Sequence, residues 1–339
     1  MNNPKVSICI PAYQQPELLR KALDSVLMQD YKDYEIIVTD DSPDSSVEDI
    51  CKECVAKNVS LRYIKNIERK GTPENWNESM RQAKGEYIKI LHHDDWFAEV
   101  GSLGKMVNLL EKNPQANLAF CGCLNFNPKD ELQFVHTARI EQINRLRKDP
   151  EFLFAGNFVG APSTTIFRNG LDVYFDSQFK WVVDLDFYMR IIRIKGLFEY
   201  TSEPLMAIRM QSDEQVTAEC ENDKNIQISE NFNLYKKMYP DGSLMKDYVF
   251  EYFWFLFERF EIKSIEDIKN CGIDDEIPRE FSVLLMAIEY HRKEEEKLVM
   301  RMLLERDAQL EAVTNSNFWK ITWPIRRIFD FIKSIKNGK

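Results

Sequence analysis

An α/β fold built on a mostly parallel sheet is predicted by two features of the sequence. Four short runs rich in apolar and β-branched residues recur at intervals of about 26–29 residues. They are Val6–Ile10, Glu35–Thr39, Leu61–Lys65 and Tyr87–Leu91. The segments between them have helical periodicity, as in residues 16–29, where one face carries Leu18, Leu19, Ala22, Leu23 and Val26. Strand and helix alternating at this spacing are typical of right-handed βαβ units.

Further elements follow in the second half of the chain. The pattern predicts strands at Leu118–Cys121 and Thr164–Phe167 and a helix at Asp184–Ile194. A charged segment at Glu294–Glu311 carries leucine and methionine at a spacing that favours a short coiled coil.

Changes in composition divide the chain into three parts. Residues 1–215 carry the α/β pattern, residues 216–314 are predicted to be helical and rich in Phe, Tyr and Trp, and residues 315–339 form a basic tail. We therefore expect an α/β domain with a helical C-terminal extension.

Length and composition exclude several classes of protein. The chain has 339 residues, of which 44% are hydrophobic and 12% aromatic, which argues against general disorder. We expect neither a signal peptide nor a membrane-spanning helix, because no basic segment precedes an apolar one at the N-terminus and no stretch reaches roughly 18 apolar residues. The odd number of cysteines, seven, favours a reducing cytoplasm.

Two cysteine pairs are spaced closely enough to consider a metal. Cys51 and Cys54 lie three residues apart in a helical pattern, and Cys121 and Cys123 alternate along a predicted strand. A zinc site would require the two pairs to meet in space, and their spacing does not demand it. We therefore expect small buried thiols at all four positions.

Unusual residues, many of them polar, follow each of the first four predicted strands. They are Pro11-Ala12-Tyr13, Asp40-Asp41, Asn66 and His92-His93-Asp94-Asp95. Because the carboxyl ends of parallel strands meet at one edge of a sheet, these residues should line a common pocket. The Asp94–Asp95 pair fits a hard divalent cation such as Mg²⁺, and the alternative is a solvated turn. The polar residues at the other strand ends favour the cation site.

Several common catalytic motifs are missing from the sequence. There is no G-x-G-x-x-G after the first strand, no G-x-x-x-x-G-K-[ST] and no G-x-S-x-G. This argues against a nicotinamide dehydrogenase, a P-loop enzyme and an α/β-hydrolase. The net charge of −10 argues against general nucleic-acid binding.

Three segments together resemble the motifs of family 2 glycosyltransferases, which have the GT-A fold. They are residues 6–13 (VSICIPAY), 34–42 (YEIIVTDDS) and 85–95 (GEYIKILHHDD), in the order found in that family. The resemblance covers about residues 5–215. It implies a Rossmann-like, mostly parallel sheet flanked by helices, and an enzyme that uses a nucleotide-sugar donor.

The resemblance also implies roles for individual residues. Asp94 matches the last Asp of the family's D-x-D motif, which binds Mn²⁺ or Mg²⁺ on the diphosphate, and Asp95 would support that metal site. Asp184 matches the general base of the family's E-D motif. Gly160 and Ser163 are predicted on the acceptor side. The predicted donor-nucleotide contacts are Pro11, Ala12, Tyr13, Asp41, Asn77, His92 and Asp94.

This chain departs from the family pattern at three positions. His92 stands at the first D-x-D position, Val183 replaces the Glu before the base, and Gln211 stands where many relatives have His. Asp186, two residues after the base, is interpreted as a helix cap or a salt-bridge partner of Arg190.

The resemblance implies an inverting glycosyltransferase acting in cell-surface polysaccharide synthesis. The expected donor is a UDP-sugar, and the expected acceptor is a saccharide or a lipid-linked saccharide. A sugar nucleotidyltransferase is an alternative, although it would normally show a Gly-rich basic loop after the first strand. A catalytically silent scaffold that keeps the fold is the other alternative, and the three departures support it.

The tail predicts a membrane-surface helix. It carries six basic residues and one acidic residue, and beyond Pro324 one face collects Ile325, Ile328, Phe329, Ile332 and Ile335. Trp319 and Trp323 precede that face, and Trp favours the headgroup region. The helix would be too short to span a bilayer, so we expect it to lie on an anionic membrane surface, peripherally attached at the cytoplasmic side. Docking on the acidic body of the protein is the alternative.

Overall fold

The computed structural model of the protein describes residues 3–56, 60–195, 197–210, 219–240 and 245–315. The chain divides into two compact units, which are described separately. The first contains Met1–Glu261 and Glu266–Glu276, and the second contains Ile262–Ile265 and Ile277–Lys339. The predicted division into residues 1–215, 216–314 and 315–339 stays a prediction.

Nine strands in the described part of the first unit form one sheet. Its strands are β1 (Val6–Ala12), β2 (Tyr34–Asp40), β3 (Leu61–Lys65), β4 (Tyr87–Ile90), β5 (Trp96–Phe97), β6 (Leu118–Phe126), β7 (Leu132–His136), β8 (Thr165–Arg168) and β9 (Phe198–Arg209). The order across the sheet is β3-β2-β1-β4-β8-β6-β9-β5, and β7 also pairs with β6. The pairs among β1 to β4 are all parallel, which confirms the predicted βαβ units. β6 and β9 are also parallel, whereas β5, β7 and β8 pair antiparallel.

The described helices are α1 (Pro16–Leu27), α2 (Ser46–Ala56), α3 (Glu74–Arg81), α4 (Ser102–Lys112), α5 (Ile140–Leu146), α6 (Val183–Lys195), α7 (Lys224–Met238), α8 (Asp247–Arg259), α9 (Ile265–Lys269) and α10 (Arg279–Asn315). Two 3-10 turns lie at Pro150–Ala155 and Pro162–Thr164. Among the described helices, none combines the length and apolarity needed to cross a bilayer. The tail predicted at residues 315–339 lies outside the described residues, apart from Asn315 at the end of α10.

The structure differs from the predicted elements where partners distant in sequence decide the outcome. β6 continues to Phe126, past its predicted end at Cys121, because β7 and β9 pair with the extension. The two-residue β5 pairs with β9 and has too short a pattern to be recognised. α10 includes the predicted charged helix and extends it in the N-terminal direction.

The cysteine side chains confirm the prediction of buried thiols. All seven are buried, including the Cys51–Cys54 pair on α2 and the Cys121–Cys123 pair on β6. Burial raises the pKa of Cys51, Cys121 and Cys123 to about 12, so these thiols stay protonated near neutral pH.

The order of strands places a crevice at one edge of the sheet. β1 has β2 and β3 on one side and β4 on the other. The order of successive strands across the sheet therefore reverses direction at β1. Every residue of β1 and β4 is buried, and these strands are covered on both faces. In open α/β sheets a ligand binds beyond the carboxyl ends of the strands at such a reversal of order.

The opposite edge is fixed by a hydroxyl group on β1. Ser7 Oγ donates to Glu35 Oε1 at 2.7 Å and accepts the backbone N–H of Lys84 at 3.1 Å and of Gly85 at 2.8 Å. The starts of β1, β2 and β4 are thereby joined. A Cβ added at Gly85 would lie 2.5 Å from the backbone nitrogen of Ser7, so a side chain there has no room.

We expect the Gly85→Ala variant to unfold at a lower denaturant concentration than the wild type. The added methyl group would push β1 away from the loop before β4, at a cost of about 1–3 kcal/mol in the free energy of unfolding. Gly104→Ala, within α4, is the matched control, because its Cβ would meet only ordinary contacts of 3.7 Å or more with Asp30 and Tyr31. Alanine favours a helix, so this control should unfold at an equal or higher concentration. Equal midpoints for Gly85→Ala and the wild type would contradict the expected clash.

Candidate active site

The carboxyl ends of β1, β2 and β4 are tied to one another by backbone hydrogen bonds. Asp41 N donates to Ala12 O at 3.1 Å, and Leu91 N donates to Cys9 O at 2.9 Å. Pro11 and Ala12 are buried, and Tyr13 is half-buried at the start of the loop that follows β1. The polar strand ends of the sequence therefore meet at this edge.

The carboxylate of Asp41 organises the loop after β3. Its Oδ1 accepts from Asn66 Nδ2 at 2.6 Å, and its Oδ2 accepts from Gly71 N at 2.7 Å. Lys70 N donates to both oxygens, at 3.1 and 3.2 Å. Asp41 is 7% exposed, so this carboxylate fixes the backbone of residues 66–71 beside the crevice. A direct contact with a nucleobase stays a prediction.

The adjacent Asp40 has a structural role. It is completely buried, and its Oδ2 accepts from Tyr63 Oη at 2.7 Å and from Lys65 Nζ at 2.8 Å. Two neighbouring carboxylates thus serve different purposes, because Asp40 is the last residue of β2 and Asp41 begins the loop after it.

A cation covers one face of Tyr13. The guanidinium carbon of Arg69 lies 4.3 Å from the centre of the Tyr13 ring. Arg69 belongs to the loop that Asp41 fixes. The sequence gives no signal for this contact, since Arg69 lies in a loop without periodicity.

The turn after β4 brings together His92, Asp94 and Asp95. One ligand-capable atom from each residue lies within 4.8 Å of the others. Asp95 N donates to His92 O at 3.0 Å, which closes the turn. The side chain of Asp95 is 3% exposed, and its Oδ1 accepts from the backbone N–H of Arg209 at 3.1 Å.

Burial dominates the ionisation of this turn. It raises the pKa of Asp95 well above its usual range, and the negative charge of Asp94 raises it further. Burial also lowers the pKa of His92 to about 4, so the imidazole is neutral at neutral pH.

A buried lysine and serine lie behind the turn. Lys89 and Ser163 are completely buried, and Lys89 Nζ donates to the carbonyl oxygens of Ile90, at 3.0 Å, and Ser163. Ser163 Oγ accepts the backbone N–H of His92 at 3.0 Å. Burial lowers the pKa of Lys89 to about 8. Ser163, predicted on the acceptor side, thus supports the turn. The sequence did not reveal the role of Lys89, because the segment that surrounds its side chain is distant in sequence.

Asp184 lies in the first turn of α6, against the segment 157–164. Its Oδ2 accepts from Asn157 Nδ2 at 2.7 Å, and its Oδ1 accepts from Leu185 N at 2.8 Å. Tyr188 Oη, one helical turn later, donates to Gly160 O at 3.0 Å. Burial raises the pKa of Asp184 to about 6.

The neighbouring Asp186 points away from that arrangement. It is completely buried and forms ion pairs with Arg190, at 2.6 Å, and with Lys237 Nζ, also at 2.6 Å. The predicted salt bridge to Arg190 is confirmed, and Lys237 is a second partner that the sequence did not reveal.

Asn77, one of the predicted donor contacts, is bound to the backbone of Phe175. It is 2% exposed, its Nδ2 donates to Phe175 O at 2.8 Å, and its Oδ1 accepts from Phe175 N at 2.9 Å. The side-chain amide of Asn77 therefore holds the backbone of Phe175 against α3. The adjacent Trp76 contacts His92, with 4.6 Å between ring centres. Gln211 lies outside the described residues.

The turn has a donor set that suits a divalent cation. Asp94 and Asp95 supply the oxygen ligands that Mg²⁺ and Mn²⁺ take, and His92 supplies a neutral imidazole. The Nε2 atom of His92 is buried and has no hydrogen-bond partner among the described residues. The residues present therefore fit the metal that the sequence resemblance implies.

Comparison with known proteins identifies the family. Residues 7–175 match the model of glycosyl transferase family 2. The chain belongs to glycosyl transferase family 2. This confirms the resemblance seen in the three sequence motifs.

Several curated glycosyltransferases match part of the chain. The glycosyltransferase GlyA of Streptococcus pneumoniae is 29% identical over 39% of this chain and 18% of its own length. The uncharacterized glycosyltransferase MJ1057 of Methanocaldococcus jannaschii is 26% identical over 62% of this chain and 72% of its own. The putative colanic acid biosynthesis glycosyl transferase WcaA of Escherichia coli is 27% identical over 56% and 67%. The chain thus spans less than a fifth of GlyA.

Solved structures show that the fold is GT-A. The S. aureus protein TarS, residues 1–349, in complex with UDP-GlcNAc has a TM-score of 0.58 and 17% identity over 76% of this chain and 73% of that one. The mannosyltransferase PcManGT from Pyrobaculum calidifontis, in complex with GDP-Man and Mn²⁺, has a TM-score of 0.56 and 14% identity over 99% and 88%.

We expect the Asp41→Asn variant to loosen the loop at residues 66–71. The new amide would face the N–H donors of Lys70 and Gly71, and an unpaired buried donor costs about 1–3 kcal/mol. Hydrogen exchange followed by mass spectrometry should show faster exchange in a peptide covering these residues. Asp24→Asn, on the exposed face of α1, is the control and should exchange as the wild type does. Unchanged exchange in Asp41→Asn would show that the carboxylate does not hold the loop.

Proposed function

We propose that this protein is an inverting glycosyltransferase that moves a sugar from a nucleotide-sugar donor to a hydroxyl group of a saccharide or lipid-linked saccharide. The observation that carries the proposal is the segment 157–164, which contacts both carboxylate centres. Asn157 binds Asp184, and Ser163 binds the turn of His92, Asp94 and Asp95. One segment thus holds a candidate base near a candidate diphosphate site.

Asp184 has the properties of a general base in this reaction. A carboxylate whose pKa is raised to about 6 is still ionised at pH 7, yet it takes a proton more readily than an ordinary carboxylate. Asn157 Nδ2 and Leu185 N orient its two oxygens. It would accept the proton of the acceptor hydroxyl as that oxygen attacks the anomeric carbon. A single displacement of this kind inverts the configuration.

The other residues would bind the donor. The buried ends of β1 and β2, with the loop fixed by Asp41, form the proposed nucleotide pocket, and the ring of Tyr13 offers a surface for the base. Asp94 and Asp95, with His92 beside them, would hold the divalent cation. When bound, that cation would neutralise the charge that develops on the leaving nucleoside diphosphate.

A UDP-sugar is the proposed donor, and surface polysaccharide synthesis is the proposed context. TarS was solved with UDP-GlcNAc and UDP, which supports uridine in this type of pocket. The name of WcaA refers to colanic acid biosynthesis, and a Campylobacter jejuni relative, 34% identical over 93 residues, is named for a glucosyl transfer to an undecaprenol-linked saccharide. These names support a saccharide or a lipid-linked acceptor.

We expect nucleotide release from a panel of UDP-, GDP- and dTDP-sugars to identify the donor and test the catalytic residues. With Mn²⁺ or Mg²⁺ and a membrane-lipid extract as acceptor source, Asp184→Asn should lower kcat by about 10²–10⁴-fold because the base is lost. Asp94→Asn should lose metal-dependent turnover. Asp24→Asn is the control and should retain wild-type rates. Variants that match an active wild type would refute these assignments, and a wild type that binds and turns over no donor would favour the silent scaffold.

The raised pKa of Asp184 predicts the pH dependence of transfer. The base works when ionised, so kcat/KM should be level above about pH 7 and fall about tenfold per pH unit well below pH 6. Initial rates from pH 5 to 8.5 would measure the profile, and tryptophan fluorescence at each pH would confirm that the protein stays folded. A profile with no inflection near pH 6 would contradict Asp184 as the base.

We also propose that the basic tail attaches the enzyme to the cytoplasmic face of the cell membrane, where lipid-linked acceptors are found. Support comes from its sequence alone, which combines six basic residues with an apolar face and two tryptophans.

Deleting residues 319–339 should release the protein from anionic liposomes at low salt in a sedimentation assay. The truncated protein should keep its activity on a soluble acceptor. Equal sedimentation of the full-length and truncated proteins would refute the membrane role of the tail.

A further inference from the structure

The imidazole of His92 is held in one place by aromatic contacts. Its ring centre lies 4.6 Å from that of Trp76, with 40° between the planes. Trp76 in turn packs edge-on against Phe175, at 5.1 Å, whose backbone is fixed by Asn77. A side chain supported in this way loses little freedom when it binds a ligand.

Neither ring nitrogen of His92 forms a hydrogen bond with another of the described residues. Nδ1 lies 3.9 Å from Asp95 Oδ2, which is too far for a hydrogen bond, and the buried Nε2 has no partner. A buried polar atom normally has a hydrogen-bond partner. The Nε2 atom of His93 is also buried without a partner among the described residues, so the distances from His92 to the carboxylates carry the argument.

The distances fit a shared cation. Two ligand atoms that each lie about 2.0–2.2 Å from one ion are at most roughly 4.4 Å apart. The separation of 3.9 Å between Nδ1 of His92 and Oδ2 of Asp95 satisfies this limit. The set that includes Asp94 lies within 4.8 Å, so a small side-chain rotation would complete it.

We propose that His92 is a direct metal ligand, so that this chain holds its cation by one imidazole nitrogen and the carboxylates of Asp94 and Asp95. This inference rests on the proposed function, because it concerns the same cation. It adds a prediction about metal identity. Mg²⁺ strongly prefers oxygen ligands, whereas Mn²⁺ accepts imidazole as well as carboxylate. The His at the first D-x-D position thus selects Mn²⁺ over Mg²⁺.

Pulsed EPR of bound Mn²⁺ tests this ligation directly. The full-length protein with Mn²⁺ and UDP should show electron spin echo modulation from a directly coordinated ¹⁴N. His92→Asp should lose that modulation while still binding Mn²⁺ through three carboxylates. His93→Gln, at the adjacent histidine, is the matched control and should keep it.

Equilibrium binding tests the selectivity. Free Mn²⁺ measured by room-temperature EPR, with Mg²⁺ as competitor, gives the ratio of the two affinities. We expect His92→Asp to shift that ratio toward Mg²⁺ by on the order of tenfold, because the nitrogen ligand is replaced by an oxygen. His93→Gln should leave the ratio unchanged. Circular dichroism would confirm that both variants fold.

The outcomes separate this inference from the proposed function. If Mn²⁺ binds in an Asp94-dependent manner without ¹⁴N coupling, His92 is not a ligand and only this inference fails. An unchanged Mn²⁺/Mg²⁺ ratio in His92→Asp would also overturn it. If the wild type binds no Mn²⁺ even with UDP, the metal site itself fails. Nucleotide release measured without added metal would then show whether the protein is a transferase that needs no metal.

Discussion

The hydrogen bonds made by the segment 157–164 are the interactions on which the site depends. At one end, Asn157 holds Asp184, and at the other, Ser163 holds the backbone of His92. Gly160, between them, has a φ of +96°, a value that favours glycine, and its carbonyl accepts from Tyr188. The segment therefore bends sharply between α6 and the end of β4. Its position fixes both carboxylate centres before any ligand arrives, which lowers the cost of arranging them during a reaction.

Removal from water is the common cause of the unusual ionisation states in the site. Burial keeps His92 neutral, raises the pKa of Asp95 and Asp184, and lowers that of Lys89. Each group is therefore biased toward its neutral form. The environment that makes Asp184 a better proton acceptor also makes the turn at Asp94 and Asp95 a favourable place for a compensating positive charge.

The sequence predicted the central strands and most of the polar residues at their ends. It did so because a buried parallel strand is a continuous apolar run, and a polar residue directly after such a run stands out. The pattern of residues alone could not separate Asp40, the last residue of β2, from Asp41, which follows it, and only the family resemblance singled out Asp41. The contacts of Asn77 and Lys89 could not be predicted, for one reason. Their partners, Phe175 and Ser163, lie more than 70 residues away in sequence, and local periodicity contains no information about contacts at that distance.

The guanidinium of Arg69 over the ring of Tyr13 bears on how long a spent nucleotide would remain bound. If the donor binds as proposed, a base that stacks on Tyr13 must displace the guanidinium of Arg69 or share the ring with it. A cation–π contact at an accessible site is worth about 0.5–1 kcal/mol, and stacking of a base on an aromatic ring about 1–3 kcal/mol. The net gain from stacking is therefore reduced. Arg69 can return to the ring as the nucleotide leaves, so this loop would shorten the residence time of the product and help to free the pocket for the next donor.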